Sequence, residues 1–467
     1  MAPIALDRVV PHSGSVRVLV ITTEPLPLPS QPTTGAGLRA WGLAMGLRSK
    51  DVDSIVATTA ESQNDLPRDE LPQFARTCRR AELAALIVRE KPDCLVLQHW
   101  GIASEIPELE IPLAIDLAGP HLLERVFWGE TDISRNLDEK LAALRRADFV
   151  TCSGELQKLY FYPYLLMAGF DLKKLDVPVI PFSVPPLPSP ANDPREEFSF
   201  VYGGAFLPWQ NPERAIGWLL DEFDKAGRGK LYFYGGAHPE LDVSRGRFAQ
   251  LQARLQNHSR VEMRSFASFD KLMIDYQGFE VALDLMERNP ERELAFATRT
   301  MMYMYCGLPV IHNDYSELAG IIANGGCGWT ISPDDEPTFR ETVRRILARE
   351  APLTQMCAKA RETAACFSWD KTIAPLADFC KKPHVRAGKS AAFAVEALRQ
   401  ELDVTRGERD TLRREVAELH GKFALRAQRK LSGLGWLLSP IAYLLAWPVA
   451  FLLRRSLMQS AKQPRSG

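Results

Sequence analysis

Short apolar runs rich in β-branched residues alternate along the chain with longer amphipathic stretches. The first series is 16–22 (VRVLVIT), 54–59 (SIVATT), 94–99 (CLVLQH), 113–116 (LAID), 149–153 (FVTCS) and 177–182 (VPVIPF). These runs are apolar at successive positions rather than at alternate ones. That predicts parallel strands covered on both faces by helices, the βα rhythm of a doubly wound sheet. At 183–197 the text becomes SVPPLPSPANDPREE, whose prolines lack backbone donors, and a linker is expected there. A second series follows at 198–204, 231–236, 261–266, 279–286, 308–314 and 328–332. The predicted class is α/β, with two facing Rossmann-like domains over 1–185 and 186–380.

Beyond 380 the character changes. Leu398, Leu402, Thr405, Arg409, Leu412, Val416, Leu419 and Phe423 recur at spacings of four and three, a heptad-like seam within a basic helical segment, 381–432. The 394–423 stretch reads either as a short coiled coil joining copies of the chain or as a single solvated helix. From Leu434 to Leu453 there are 20 residues without a charge, flanked by Arg429, Lys430, Arg454 and Arg455. The 433–467 tail is therefore expected to meet a membrane, and Pro440 and Pro448 leave open whether it spans the bilayer or lies kinked in it.

Charge sharpens this division. The formal net charge is −1, yet residues 381–467 hold 17 Lys and Arg against 7 Asp and Glu, which leaves −11 for the remainder. A basic tail around an apolar run favours anionic lipid over nucleic acid. The eight cysteines are scattered without CxxC spacing, as in a reducing compartment, and residues 1–14 carry no secretory pattern. A cytoplasmic protein attached to the inner or plasma membrane is expected.

After the first run, Gly35, Gly37 and Gly42 lead into a helix, where backbone N–H groups could meet an acceptor or a phosphate. The spacing is not GxGxxG, so a dinucleotide site is not expected. Residues 290–313 read PERELAFATRTMMYMYCGLPVIHN, and Tyr303–Val310 (YMYCGLPV) closes on a Gly-Leu-Pro-Val turn. The region resembles the donor-binding segment of the family four (group 1) glycosyltransferases of the GT-B fold. LRRADFVTCSGELQK (144–158) and FSWDKT (367–372) resemble two further marks of that family, and the resemblance covers roughly residues 16 to 380. It implies a donor contact at Glu293 and a retaining mechanism; Arg299 and Thr300 at the mouth of the following helix, the backbone at Gly203 and Gly204, and Gln210 or Asn211 are the further groups expected to meet the donor.

Two departures stand out. The family's ribose-binding glutamate falls at Met302, and the usual phosphate-binding Arg and Lys are absent from YGGAFLPWQNPERAI after the first strand of the second domain. On the acceptor side, Asp116 and His121 in IPLAIDLAGPHLLERVF are the polar groups expected at the transfer site, as base or proton relay; a helix cap and an exposed histidine are the bland readings. Asp51 and Asp53 form the sole DxD and precede a strand rather than end one, so no metal is called for and the only small-molecule requirement is the nucleotide sugar as co-substrate. The reading is a transferase moving a sugar from a nucleotide donor to a glycan or lipid-linked acceptor, as in surface polysaccharide assembly. Its alternative is a binding or scaffold protein on the same fold that has lost its donor.

Overall fold

The computed structural model describes residues 16–108, 110–186, 195–205, 207–236, 248–386, 389 and 404–422. The first sheet comprises β1 (Arg17–Thr22), β2 (Asp53–Thr58), β3 (Ala75–Thr77), β4 (Cys94–Leu97), β5 (Leu113–Leu117) and β6 (Phe149–Cys152). The second comprises β7 (Ser199–Ala205), β8 (Lys230–Gly236), β9 (Val261–Arg264), β10 (Val281–Asp284), β11 (Val310–Asn313) and β12 (Gly328–Ile331). Their orders are β3-β2-β1-β4-β5-β6 and β12-β11-β10-β7-β8-β9. Read from its own first strand outward, each sheet has the same order, and every pairing is parallel. Both are Rossmann-type doubly wound sheets.

The continuous apolar runs have a direct packing cause. Successive side chains of a strand point to opposite faces, so both faces must be covered. In β1, Leu19 and Ile21 enter one core while Val18 and Val20 enter another. In β7, Phe200 and Tyr202 face one core and Val201 the other.

Two segments depart from the sequence reading. The 177–182 run is not a ladder strand: Val179 makes only an isolated bridge to Cys152. Pro178 and Pro181 lack the N–H groups a ladder needs. Its side chains are nevertheless buried, with Val177 and Ile180 in the two cores of the first sheet and Phe182 in a core of the second. Conversely, β3 is an edge strand of three residues, too short to carry a hydrophobic period.

The helices Trp369–Thr372 and Ala374–Lys381 return the chain to the first sheet. Ile373, Leu376, Phe379 and Cys380 join the core around Val18 and Val20, and Phe379 stacks on Phe149 with ring centroids 4.5 Å apart. Gly42 and Gly46, inside the helix Gly35–Arg48, make room for this return. A Cβ on Gly42 would lie 2.8 Å from Nε1 of Trp369, and one on Gly46 would lie 2.8 Å from Cβ of Ile373. Gly42 thus belongs to helix packing and not to an anion loop.

Residues 404–422 form a helix with every residue exposed. Leu412, Val416 and Leu419 of the heptad pattern lie on it as exposed apolar side chains. Thr405 and Arg409 of the seam lie on it too, while Leu398, Leu402, Phe423 and the apolar 433–467 tail lie outside the described residues. Among the described residues no helix is long and apolar enough to cross a membrane.

Candidate active site

In the second sheet the chain order reverses between β10 and β7, and the carboxyl ends of those two strands flank the crevice where doubly wound sheets hold ligands. Asp284 closes β10, Gly203 and Gly204 close β7, and the helix Thr298–Tyr305 brings Arg299 over them. Arg299 Nη1 donates to Asp284 Oδ1 and to the Tyr202 hydroxyl, each at 3.1 Å, and its Nη2 donates to Gln210 Oε1 at 2.8 Å. The guanidinium lies over the Tyr202 ring, 4.7 Å from its centroid. A Cβ on Gly204 would fall 2.2 Å from Arg299 Nη2, and the φ of that glycine is +143°. The cation missing from the sequence after β7 is therefore supplied from a helix nearly a hundred residues on.

The neighbouring polar groups are locked together. Burial by itself would raise the pKa of Asp284, but Arg299, His312 and Thr300 outweigh it and hold the carboxyl well below the usual range. Thr300, fully buried, donates its hydroxyl to Asp284 and lies 3.2 Å from His312 Nδ1, while His312 Nε2 is 2.7 Å from the Ser316 hydroxyl. Thr300 therefore turns inward and offers no side chain to a phosphate. Gly203 is engaged too: its N–H donates to the Tyr303 hydroxyl at 2.7 Å, and the Tyr276 hydroxyl occupies the space its Cβ would need. Gln210 holds the guanidinium. Glu293 is solvent-accessible and pairs with Arg288 at 2.8 Å, not with Arg299. Its neighbours Glu291 and Arg292 form a buried two-pronged pair, with Arg292 Nη2 2.8 Å from Glu291 Oε1.

Met302, where the sequence lacks the ribose-binding carboxylate, lines a cavity of about 220 Å³. Leu38, Trp41, Phe269 and Trp369 give it apolar walls, and Asp270 is its carboxylate.

The first domain meets this site through the helix Gly35–Arg48. Thr34 caps it, accepting the Gly37 N–H at 3.1 Å and donating to Glu24 at 2.9 Å. A Cβ on Gly37 would collide with the Pro25 carbonyl oxygen, so this glycine lets the Pro25 backbone pass close against the first turn of the helix. Gly35 sits against Thr298: its Cβ would be 3.1 Å from Thr298 Oγ1. Two helix N-termini, at Gly35 and Thr298, thus face one another. Each carries partial positive charge, and its first-turn N–H groups have no partner within the helix itself.

Asp116 is not an accessible base. It is 1% exposed, receives Arg39 Nε and Nη2 at 2.9 and 2.8 Å, and accepts the Thr151 hydroxyl at 2.7 Å. A carboxylate that closes a buried strand is held by a cation from the helix packed on it, as Asp284 is. His121 is partly buried at the start of the helix His121–Phe127. Arg125 Nε donates to its Nε2 at 3.1 Å, so Nδ1 carries the proton and donates to Glu124 Oε2, also at 3.1 Å. Around it stand His99, 4.7 Å away edge-on, and Trp100 at 5.6 Å, with Trp128, a ring that nothing in the sequence singled out, at 5.8 Å. Trp128 in turn faces Trp209 of the second domain at 5.8 Å. Of the DxD, Asp51 sits in a left-handed turn and Asp53 pairs with Arg17.

Two further contacts tie the domains. Gln157 Nε2 donates to the Leu294 carbonyl at 3.0 Å. Glu317 accepts the backbone N–H groups of Glu155 and Leu156, capping the helix Glu155–Met167 from the opposite domain, and burial raises its pKa.

This arrangement, two Rossmann-like domains with a cation and helix N-termini converging between them, is the GT-B fold. Solved structures similar to the chain include a sucrose-phosphate synthase from Thermosynechococcus elongatus (17% identity, TM-score 0.59, 78% of this chain and 98% of that one). WaaG, a glycosyltransferase involved in lipopolysaccharide biosynthesis, is similar at 14% identity and a TM-score of 0.54, over 78% of this chain and all of that one. Anabaena HepE, solved with UDP-glucose, is also similar at 14% identity and a TM-score of 0.54, over 78% of this chain and 98% of its own. Among curated sequences, D-inositol 3-phosphate glycosyltransferase 1 of Catenulispora acidiphila is 23% identical over 184 residues, 38% of this chain and 43% of its own. The chain thus spans less than half the length of that relative. No family model matches.

Proposed function

We propose that the protein is a glycosyltransferase that moves a sugar from a nucleotide-sugar donor on the second domain to an acceptor on the first. One observation carries this reading: at the strand-order reversal of the second sheet, Arg299 lies over Gly204 while the helix N-termini at Gly35 and Thr298 face one another. A leaving nucleoside diphosphate develops negative charge, and a fixed guanidinium with two helix dipoles in a water-poor crevice stabilises that charge with little reorganisation. The anion contacts are Arg299 and the backbone at Gly35, Ala297 and Thr298, in place of the Thr300 and Gly203 groups expected from the sequence. The Asp284 carboxylate and Gln210 keep the guanidinium aimed at the β7 turn. Glu293 stays at the rim for the sugar.

HepE's complex with UDP-glucose supports a uridine donor. With Met302 for a carboxylate, ribose hydroxyls find their acceptor in Asp270, across the same cavity. His121, polarised by Glu124, is the group that meets the acceptor, and Asp116 acts on the site by holding Arg39 and β5 in place. Retention follows the family resemblance. The basic, apolar sequence of 433–467 supports a site at the cytoplasmic membrane face, where a lipid-linked glycan acceptor would lie.

The test is calorimetric titration of the full chain with UDP, GDP, ADP, CMP and dTDP sugars, beside Glu293→Ala and Arg299→Gln. Micromolar binding of one nucleotide, weakened by Arg299→Gln, is expected. A folded protein that binds none of them is instead the scaffold of the alternative reading, which Met302 favours.

A further inference from the structure

The helix 404–422 is exposed at every residue, and its apolar side chains are uncovered: Leu412, Val416 and Leu419 are 60%, 49% and 63% exposed. A helix of this length gains little from its own hydrogen bonds in water, and what holds such a helix is the packing of an apolar stripe. That stripe is present. Thr405, Leu412 and Leu419 recur every seven residues, and Arg409 and Val416 recur at the same interval four places on. In heptad terms the first set occupies d and the second a, and in the sequence Leu398, Leu402 and Phe423 continue the register. The same register sorts the rest of the helix. Gly407 and Gly421 both fall at f, the position farthest from the seam, and at each nothing lies within 4 Å of the place a Cβ would take.

The positions flanking the seam carry opposite signs. Glu401, Glu408 and Glu415 stand at g, and Arg406, Arg413 and His420 at e. When two copies run parallel and in register, each g residue meets the e residue five places further along the other copy. Glu401 then meets Arg406, Glu408 meets Arg413 and Glu415 meets His420, acid with base each time. When the copies run antiparallel, g meets g and e meets e, so glutamates face glutamates and arginines face arginines. Within one helix, residues five apart are not neighbours, so an isolated helix draws nothing from this pattern. There Arg413 pairs with Asp410, at 3.9 Å. Val416 at a with Leu412 and Leu419 at d is the combination that favours two strands. Arg409 at a is tolerated best in a pair, where its guanidinium reaches water past the edge of the seam.

We propose that the helix 404–422 joins the same helix of a second copy of this chain as a parallel, in-register, two-stranded coiled coil. Both chains then leave the pair at the same end, so the two 433–467 tails can enter one bilayer, and two linked anchors hold more tightly than one. That consequence rests on the tail being the anchor; the pairing itself depends neither on the tail nor on the transferase reading.

The experiment uses the full chain in mild detergent at low salt, with Cys366→Ser to remove the exposed native thiol. Thr405→Cys and Leu419→Cys are made separately, oxidised gently and run on a non-reducing gel. The two positions lie two heptads, about 21 Å, apart along the helix, so an antiparallel pair can set at most one of them opposite itself. Both should form disulfide-linked dimers, and light scattering of the chain without added cysteines should give twice the mass of one copy. Glu408→Arg and Arg413→Glu should each weaken pairing roughly three- to thirtyfold, and the chain carrying both should return to within about threefold of wild type, because the reversed charges again meet across the pair. The helix is exposed throughout, so none of these substitutions disturbs either domain core. A monomeric mass, a cross-link at only one of the two positions, a mass of three or more copies, or charge variants that fail to restore one another each overturn the proposal. The first of these outcomes leaves the apolar face to a lipid surface instead.

Discussion

At the scale of single residues, buried charges decide most of this protein's chemistry. Asp116 and Asp284 each close a buried strand and each is held by an arginine from a neighbouring helix, Arg39 and Arg299. Removing one partner strands the other in a low-dielectric interior. Arg39→Met should therefore destabilise the fold by about 3–5 kcal/mol in urea unfolding, while the double variant Arg39→Met/Asp116→Leu should recover much of that loss. A cost for the single variant below about 1 kcal/mol would show the pair to be solvated. Lys140 gives a pH signature. Burial lowers its pKa from 10.5 to about 7. Between about pH 7 and the unfolded value near 10.4 the unfolded chain binds the extra proton, so stability must rise with pH across that window, by on the order of 4 kcal/mol. Lys140→Met should abolish this rise, which urea midpoints taken at pH 7 and 9 will measure.

At the scale of elements, glycine positions fix how strands and helices approach. The β7 turn at Gly204 admits the Arg299 guanidinium because there is no Cβ and because its φ of +143° suits glycine. Gly204→Ala should cost about 2 kcal/mol or more and move Arg299, with nucleotide affinity falling alongside stability. Unchanged calorimetric affinity in a stably folded variant would remove Arg299 from the donor site. The helix Gly35–Arg48 uses Gly42 and Gly46 in another way, accepting Trp369 and Ile373 so that residues far along the chain complete the first core.

At the scale of the molecule, Glu317 and Gln157 cross between the domains beside the crevice, and Trp128 meets Trp209 there. The apolar 433–467 tail should anchor the whole. Deleting it is expected to shift the protein from the membrane pellet to the supernatant on fractionation while leaving nucleotide binding unchanged. A truncated protein that still sediments with membranes would place the anchor elsewhere, for instance on the exposed apolar side chains of 404–422.

The pattern of apolar runs determined by itself that there are two doubly wound parallel sheets, because a strand buried on both faces must be apolar at every position. That physical necessity is local and can be read directly. The same locality exposed the Pro-rich break and the Gly-Leu-Pro-Val turn before β11. It misled at 177–182, where the apolar side chains are buried but two prolines deny the strand its ladder. The site was legible only as composition. Which polar groups remain open to a ligand depends on partners distant in sequence: Arg39 on Asp116, Thr300 on Asp284, Tyr303 on Gly203. Asp284, within the apolar run 279–286 and closing β10, carried a usable signal as a carboxylate at a strand's carboxyl end. Lys140 and Trp128 carried none, since a lysine in SRNLDEKLAALRR reads as solvated until the helix is packed against Tyr160 and Tyr164. Only the tertiary structure sets which charges are paired, because pairing energies act over a few ångströms between side chains that the sequence holds far apart.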